Sequence, residues 1–130
     1  MIHSILIVDD DPDDVAITTL LLEQTGRDMK ITAVARGETA LELLKTTTNL
    51  PSLILLDIKM PGIGGIETLP EIRSSAQLKH LPVIIVTNSS LEADREEALT
   101  AEADGFLHKA INLERFSKEL DSLLQCYIGA

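Results

Sequence analysis

The sequence predicts an α/β fold with a parallel sheet, and three observations predict it. Short apolar runs without polar alternation recur at Ser4–Val8, Leu53–Leu56 and Pro82–Thr87, the pattern of strands buried on both faces. The segments between strands carry the 3.6-residue apolar period of helices, so strand and helix alternate along the chain. The three runs end in loops of polar and turn residues, DDDPDD, DIKMPGIGG and NSS. Right-handed crossovers then place helices on both faces, a doubly wound arrangement.

Each element follows from its residues. After SILIV, Asp11 before Pro12 makes an N-cap followed by a proline at the first helical position. Asp13 and Asp14 fall in the first turn, where the helix dipole favours anions, so these three acids have a structural explanation. The predicted stripe of this helix contains Ile17, Leu20 and Leu21, and Gly26 closes it. Lys30–Ala35 is the second strand. Gly37 and Glu38 open the second helix, with Ala40, Leu41 and Leu44 on one face, and Asn49 and Pro51 break it. The third helix carries Ile66, Leu69 and Ile72 but also Pro70, which removes a hydrogen bond and crowds the preceding turn. It is expected to start late or to bend near Leu69. Ser89 and Glu92 have capping-box spacing for the fourth helix. Gly105–Lys109 is a short fifth strand, and Asn112 caps a last helix with Leu113, Phe116, Leu120, Leu123 and Leu124 as its stripe.

Two strand orders compete at this length. The flavodoxin-like order 2-1-3-4-5 sets strands one and three side by side at the switch point, where open α/β sheets bind their ligands. It brings Asp9 and Asp10 next to Asp57. Residues 1–130 are expected to form a single domain without repeats, linkers or an output domain, large enough to bury a core. Phe106, Phe116 and Tyr127 are the only aromatics, so that core must be aliphatic. The net charge of −10 argues against nucleic acid, whose binding rests on cationic contacts to phosphate. No segment reads as a signal peptide or a membrane span. The lone Cys126 excludes an internal disulfide and fits a reducing, cytoplasmic setting.

The polar residues at the carboxyl ends of strands one, three, four and five belong together: Asp9 and Asp10, Asp57, Thr87 with Asn88, and Lys109. Taken alone, Asp57 reads equally well as a solvated turn residue, Lys109 as a surface lysine and Thr87 as a strand-end residue. Gathered at one edge, three carboxylates about 4–6 Å apart repel by roughly 1–4 kcal/mol per pair and need a cation. Oxygen-only ligands favour Mg²⁺. Lys109 supplies a mobile point charge suited to a phosphoryl group, and the Thr87 hydroxyl both donates and accepts. Such a set is what phosphoryl transfer onto an aspartate requires.

These residues, within ILIVDDDP (5–12), LILLDIKMPGIGG (53–65), PVIIVTNSS (82–90) and GFLHK (105–109), resemble the receiver domain of two-component response regulators. The likeness is to stand-alone, chemotaxis-type receivers and covers essentially the whole chain. It implies that Asp57 accepts phosphate from a histidine kinase or histidine phosphotransfer protein. It implies that Asp9, Asp10, Asp57 and the backbone carbonyl of Lys59 hold Mg²⁺ (or Mn²⁺). Thr87 and Lys109 would contact the phosphoryl group, and Phe106 would change rotamer as the Thr87 hydroxyl moves. The face of the fourth helix, fifth strand and last helix would then be read by a downstream protein, or by a second copy in a homodimer. The protein would be no enzyme beyond its own phosphorylation and dephosphorylation.

Three positions depart from the family pattern. Lys109 precedes Ala110 where the family has a Lys-Pro bond, often cis; a cis bond to a non-proline costs about 2.5–4 kcal/mol, so a trans bond or a strained cis bond is expected. Asn88 replaces a small residue and narrows phosphoryl access. Two rival readings remain. One is a pseudo-receiver that binds partners without phosphorylation. The other is an aspartate-nucleophile phosphatase of the haloacid dehalogenase type, drawn from Asp9 and Asp11, although Asp13 stands where Thr or Val is expected. His3, His80 and His108 read as surface or strand-facing residues without a phosphohistidine role. The third departure, Lys59, stands two positions after Asp57, where its side chain can overhang a phosphoryl group and slow hydrolysis. Lys59→Ala is expected to shorten the lifetime of the phosphorylated protein; an unchanged dephosphorylation rate rules that effect out.

Overall fold

The computed structural model describes residues 3–58, 64–88, 92–109 and 112–128. Five strands alternate with five helices: β1 His3–Val8, α1 Pro12–Gln24, β2 Met29–Val34, α2 Gly37–Thr46, β3 Leu53–Leu56, α3 Gly65–Ser74, β4 Val83–Thr87, α4 Glu92–Thr100, β5 Gly105–His108 and α5 Leu113–Tyr127. The strands are parallel and run in the order β2-β1-β3-β4-β5, which settles the two competing orders in favour of the flavodoxin-like one.

Strand periodicity divides the core in two. Leu6, Val8, Ile54, Leu56, Val83 and Ile85 face one side, under Ala40, Leu41 and Leu44 of α2, Leu69 and Ile72 of α3, and Ala98 of α4. Ile5, Ile7, Leu53, Leu55, Ile84, Val86 and Leu107 face the other, under Leu21 and Leu22 of α1 and Phe116, Leu120 and Leu124 of α5. Every residue of β3 and β4 is buried, as their unbroken apolar runs require. Burying each such side chain contributes about 1.5–3 kcal/mol.

Two expectations about the helices need correction, and a third is narrowed. In α1, Ile17 is 44% and Leu20 54% exposed, while the buried row is Thr18, Leu21 and Leu22. Three consecutive leucines leave the phase of the stripe ambiguous, and the row chosen has the i, i+3, i+4 spacing of one helix face. Leu113 is 58% exposed: a helical side chain covers the turn before its own Cα, and the first residue of α5 has no such turn. Of the two outcomes expected for α3, the late start is excluded, because the helix begins at Gly65 and runs through Pro70. Pro70 is its sixth residue, so the one bond it forfeits is to the Ile66 carbonyl in the opening turn. The Ser89 capping box and the Lys109–Ala110 bond involve residues outside those described.

The termini expected from capping are present. Asp11 Oδ1 accepts from Asp13 N, Asn112 Oδ1 accepts from Arg115 N, and Gly26 adopts φ +76° after α1.

At the amino edge of the sheet, Arg73 of α3 joins three segments. Its Nε donates to the Glu102 carbonyl at 2.9 Å, Nη1 to the Lys79 and Leu81 carbonyls at 3.0 and 2.7 Å, and Nη2 to Asp104 Oδ2 at 2.8 Å. Asp104 Oδ2 also accepts from Val83 N at 2.8 Å. The guanidinium thus fixes the loops entering β4 and β5. Arg73→Ala is expected to cost about 2–3 kcal/mol, read as a lower urea midpoint at unchanged slope. Lysine at this position should recover little, since it lacks the planar fork.

Candidate functional site

The parallel register builds the site. Val8 pairs with Leu56, and the ladder continues one step further as Asp57 N donates to the Val8 carbonyl at 2.9 Å. Asp9 and Asp57 therefore leave adjacent strands side by side. Asp9 N is held in turn by the Val34 carbonyl at 3.0 Å. Asp9 and Asp57 are buried, Asp10 is exposed, and one carboxylate oxygen from each lies within 4.8 Å of the others.

Lys109, the residue after β5, closes the site. Its Nζ donates to Asp9 Oδ2 at 2.8 Å, Asp14 Oδ2 at 2.8 Å and Asp57 Oδ2 at 3.5 Å, and its side chain is only 6% exposed. Burial alone pulls a lysine down, but here the hydrogen bonds to Asp14 and Asp9 and the charges of Asp57 and Asp9 outweigh it. The ammonium is held above its ordinary range and stays charged at neutral pH. Its backbone N–H donates to the Thr87 carbonyl at 2.8 Å, tying the ends of β4 and β5. Thr87 is buried. Phe106 is half-buried against the α2–α3–α4 side of the core.

The structure therefore brings Asp9, Asp10, Asp57, Thr87 and Lys109 to one edge, as the strand ends predict. Lys59 lies outside the described residues. Asn88 is exposed, and its side-chain amide donates to Asp14 Oδ2 at 3.4 Å. Asp11 serves as the α1 cap, its Oδ1 accepting from Asp13 N at 2.9 Å. Sequence reasoning missed Asp14 as a site residue, assigning it to the helix dipole. Its position four residues after Asp10, one turn into a helix that leaves this edge, was the available signal.

Two glycines let α3 return against the end of β3. Gly65 N donates to the Ile58 carbonyl at 2.9 Å. A Cβ on Gly65 would collide with the Asp57 carbonyl oxygen, and one on Gly64 with that of Ile58. Because those obstacles are backbone, a side chain at either place must push the strand end aside.

Three oxygen-only carboxylates, two of them buried and all within reach of one point, suit a hard divalent cation. The class of protein that this fold and this edge define is the receiver of two-component signalling. The chain belongs to the response regulator receiver domain family, whose model matches residues 5–121. It is 30% identical over 124 residues to the polar-differentiation response regulator DivK of Brucella ovis, covering 95% of this chain and 98% of DivK. Among solved structures, the Mn²⁺-bound form of response regulator Rcp1 superposes with a TM-score of 0.84 at 27% identity, covering 95% of this chain and 92% of Rcp1. The receiver domain of the sensor histidine kinase PA1611 of Pseudomonas aeruginosa PAO1, with Mg²⁺ coordinated in its active-site cleft, gives 0.83 at 28% identity over the full length of both chains.

Gly65→Ala is expected to destabilise the fold by about 1–3 kcal/mol and to weaken Mg²⁺ binding, because the strain falls on Asp57. Denaturation and metal titration by calorimetry read the two effects separately.

Proposed function

We propose that this protein is a phosphoacceptor switch in which Asp57 takes a phosphoryl group from the phosphohistidine of a histidine kinase or histidine phosphotransfer protein. The observation that carries this reading is the convergence of Asp57 with Asp9 and Asp10 beneath the buried ammonium of Lys109. An Asp57 carboxylate oxygen attacks phosphorus as the P–N bond breaks; the electron pair leaves on the imidazole nitrogen, which takes up a proton. Catalysis is positioning and charge neutralisation. Asp9, Asp10 and Asp57 would hold Mg²⁺ (or Mn²⁺), which would supply positive charge against the phosphoryl oxygens; the Lys59 carbonyl, a further ligand that the resemblance implies, lies outside the described residues. Lys109 contributes a second positive charge, and the Thr87 hydroxyl donates to a phosphoryl oxygen.

Phosphorylation then favours one of two pre-existing conformations. Thr87 shifts, Phe106 changes rotamer, and the α4–β5–α5 face is presented to a downstream protein or to a second copy of the chain. The described residues include no helix long and apolar enough to cross a membrane, in keeping with a cytoplasmic protein. The acidic charge fits protein partners rather than nucleic acid. No turnover beyond the protein's own phosphorylation and dephosphorylation is expected.

Incubation with acetyl phosphate and Mg²⁺, followed by intact mass, should show the gain of one phosphate, lost in Asp57→Asn and on chelation of the metal. A wild-type protein that gains none is a pseudo-receiver. Repeated turnover of a phosphomonoester with the label on Asp9 would instead mark a phosphatase.

A further inference from the structure

Asp14 does more than favour the start of α1. Its Oδ2 accepts from Lys109 Nζ at 2.8 Å, as close as Asp9 does, and from the Asn88 amide at 3.4 Å. Asn88 is itself tied to β5, where His108 Nε2 lies 3.1 Å from its carbonyl oxygen. The carboxylate is therefore fixed between α1, β4 and β5, and its side chain is 21% exposed. Asp13, one residue earlier, is exposed and has no bond to Lys109 among those of the described residues.

We propose that Asp14 is a positioning residue for Lys109: the carboxylate that the ammonium keeps when a divalent metal engages Asp9 and a phosphoryl group engages Asp57. The proposal rests on the receiver reading above. An ammonium has three donors, and here they point at three carboxylates. Two of those acids, Asp9 and Asp57, belong to the candidate metal set; Asp14 does not. A cation entering the site must draw Asp9 and Asp57 away from Lys109, and that exchange is easier if the ammonium retains a partner outside the set. Without Asp14 the buried ammonium falls back on the metal ligands and competes with the metal for them. Asp14 also keeps Nζ at the mouth of the site with a donor free to turn toward a phosphoryl oxygen.

A double-mutant cycle read on Mg²⁺ affinity by calorimetry separates this role from simple charge. Asp14→Asn should weaken Mg²⁺ binding roughly tenfold, the size of one charge-assisted hydrogen bond. Asp13→Asn, which removes the same charge from the same helix turn, should change it less than about twofold, as expected for a screened surface charge. In a Lys109→Met background, where no ammonium competes for the acids, Asp14→Asn should fall to the size of the Asp13→Asn effect. At saturating Mg²⁺, Asp14→Asn should raise the KM for acetyl phosphate more than it lowers the maximal rate, and Asp14→Glu should restore part of it. Equal effects of Asp14→Asn in the wild-type and Lys109→Met backgrounds, or of Asp14→Asn and Asp13→Asn, would overturn the proposal. Because the cycle is read on the metal alone, it is decided separately from phosphate uptake: a wild type that binds Mg²⁺ but gains no phosphate on Asp57 overturns the phosphoacceptor reading, while the cycle still rules on Asp14.

Discussion

A single buried ammonium holds together an edge of the sheet that would otherwise push itself apart. Asp9, Asp10 and Asp57 converge there, Asp14 joins them through Lys109, and among the described residues four carboxylates against one lysine leave an excess of negative charge. At such separations each like-charged pair costs about 1 kcal/mol in water and about 4 kcal/mol at the effective dielectric constant near a protein surface. Lys109 offsets part of this repulsion, and the acids in return keep it charged against the pull of burial. Each side of the arrangement depends on the other: a neutral lysine would leave the acids uncompensated, and neutral acids would leave a buried cation unpaired. What remains after their mutual compensation is a net negative hollow lined with oxygens, and that residue of charge makes the edge receptive to a divalent cation.

The fold bears this cost by placing its rigidity elsewhere. The central strands are sealed on both faces by aliphatic side chains, and the amino edge, opposite the acids, is fastened by the four donated bonds of Arg73. Arg27 adds a further link there, donating to Asp121 and Gln125 of α5. The carboxyl edge is fixed mainly through backbone: Asp57 N on Val8, Asp9 N on Val34, Lys109 N on Thr87, and the bare glycines of α3 seated on the end of β3. Backbone ties leave the side chains available for chemistry. The site can therefore exchange partners without the sheet losing its register.

Which parts were legible in the sequence follows from the same division. The strands announced themselves because a strand covered on both faces must be apolar throughout, and their carboxyl ends could be read because LILLD, VIIVT and GFLHK each stop at a polar residue. Strand order then placed Asp9, Asp57, Thr87 and Lys109 together without any tertiary information. The phase of α1 was not legible: with leucine at 20, 21 and 22, only packing against β1 and β3 decides which row is buried. Leu113 misled because apolar spacing does not record where a helix begins relative to the sheet. Asp14 was hidden by sufficiency. An acid in a first helical turn already has a local reason to be there, and nothing in a linear pattern marks one that also reaches a lysine 95 residues away.

Packing also indicates where a change at this edge can go. β3 and β4 are enclosed on both sides, so displacing them would disturb close-packed cores that resist small deformations. Helix α4 is different: Ala98 is its one buried residue among those described, and the rest of the helix is polar or exposed. It adds little to the core, and it lies on the same side as Phe106, which is only half-buried. The Thr87 carbonyl is bonded to Lys109 N, so a shift of Thr87 is felt directly at the end of β5. A perturbation entering at the acids therefore meets stiff strands on one hand and a lightly held helix on the other. Under the proposed switch the cheaper response would be to move α4 and Phe106, which would make the surface around them the place where loading of the site becomes visible to a partner.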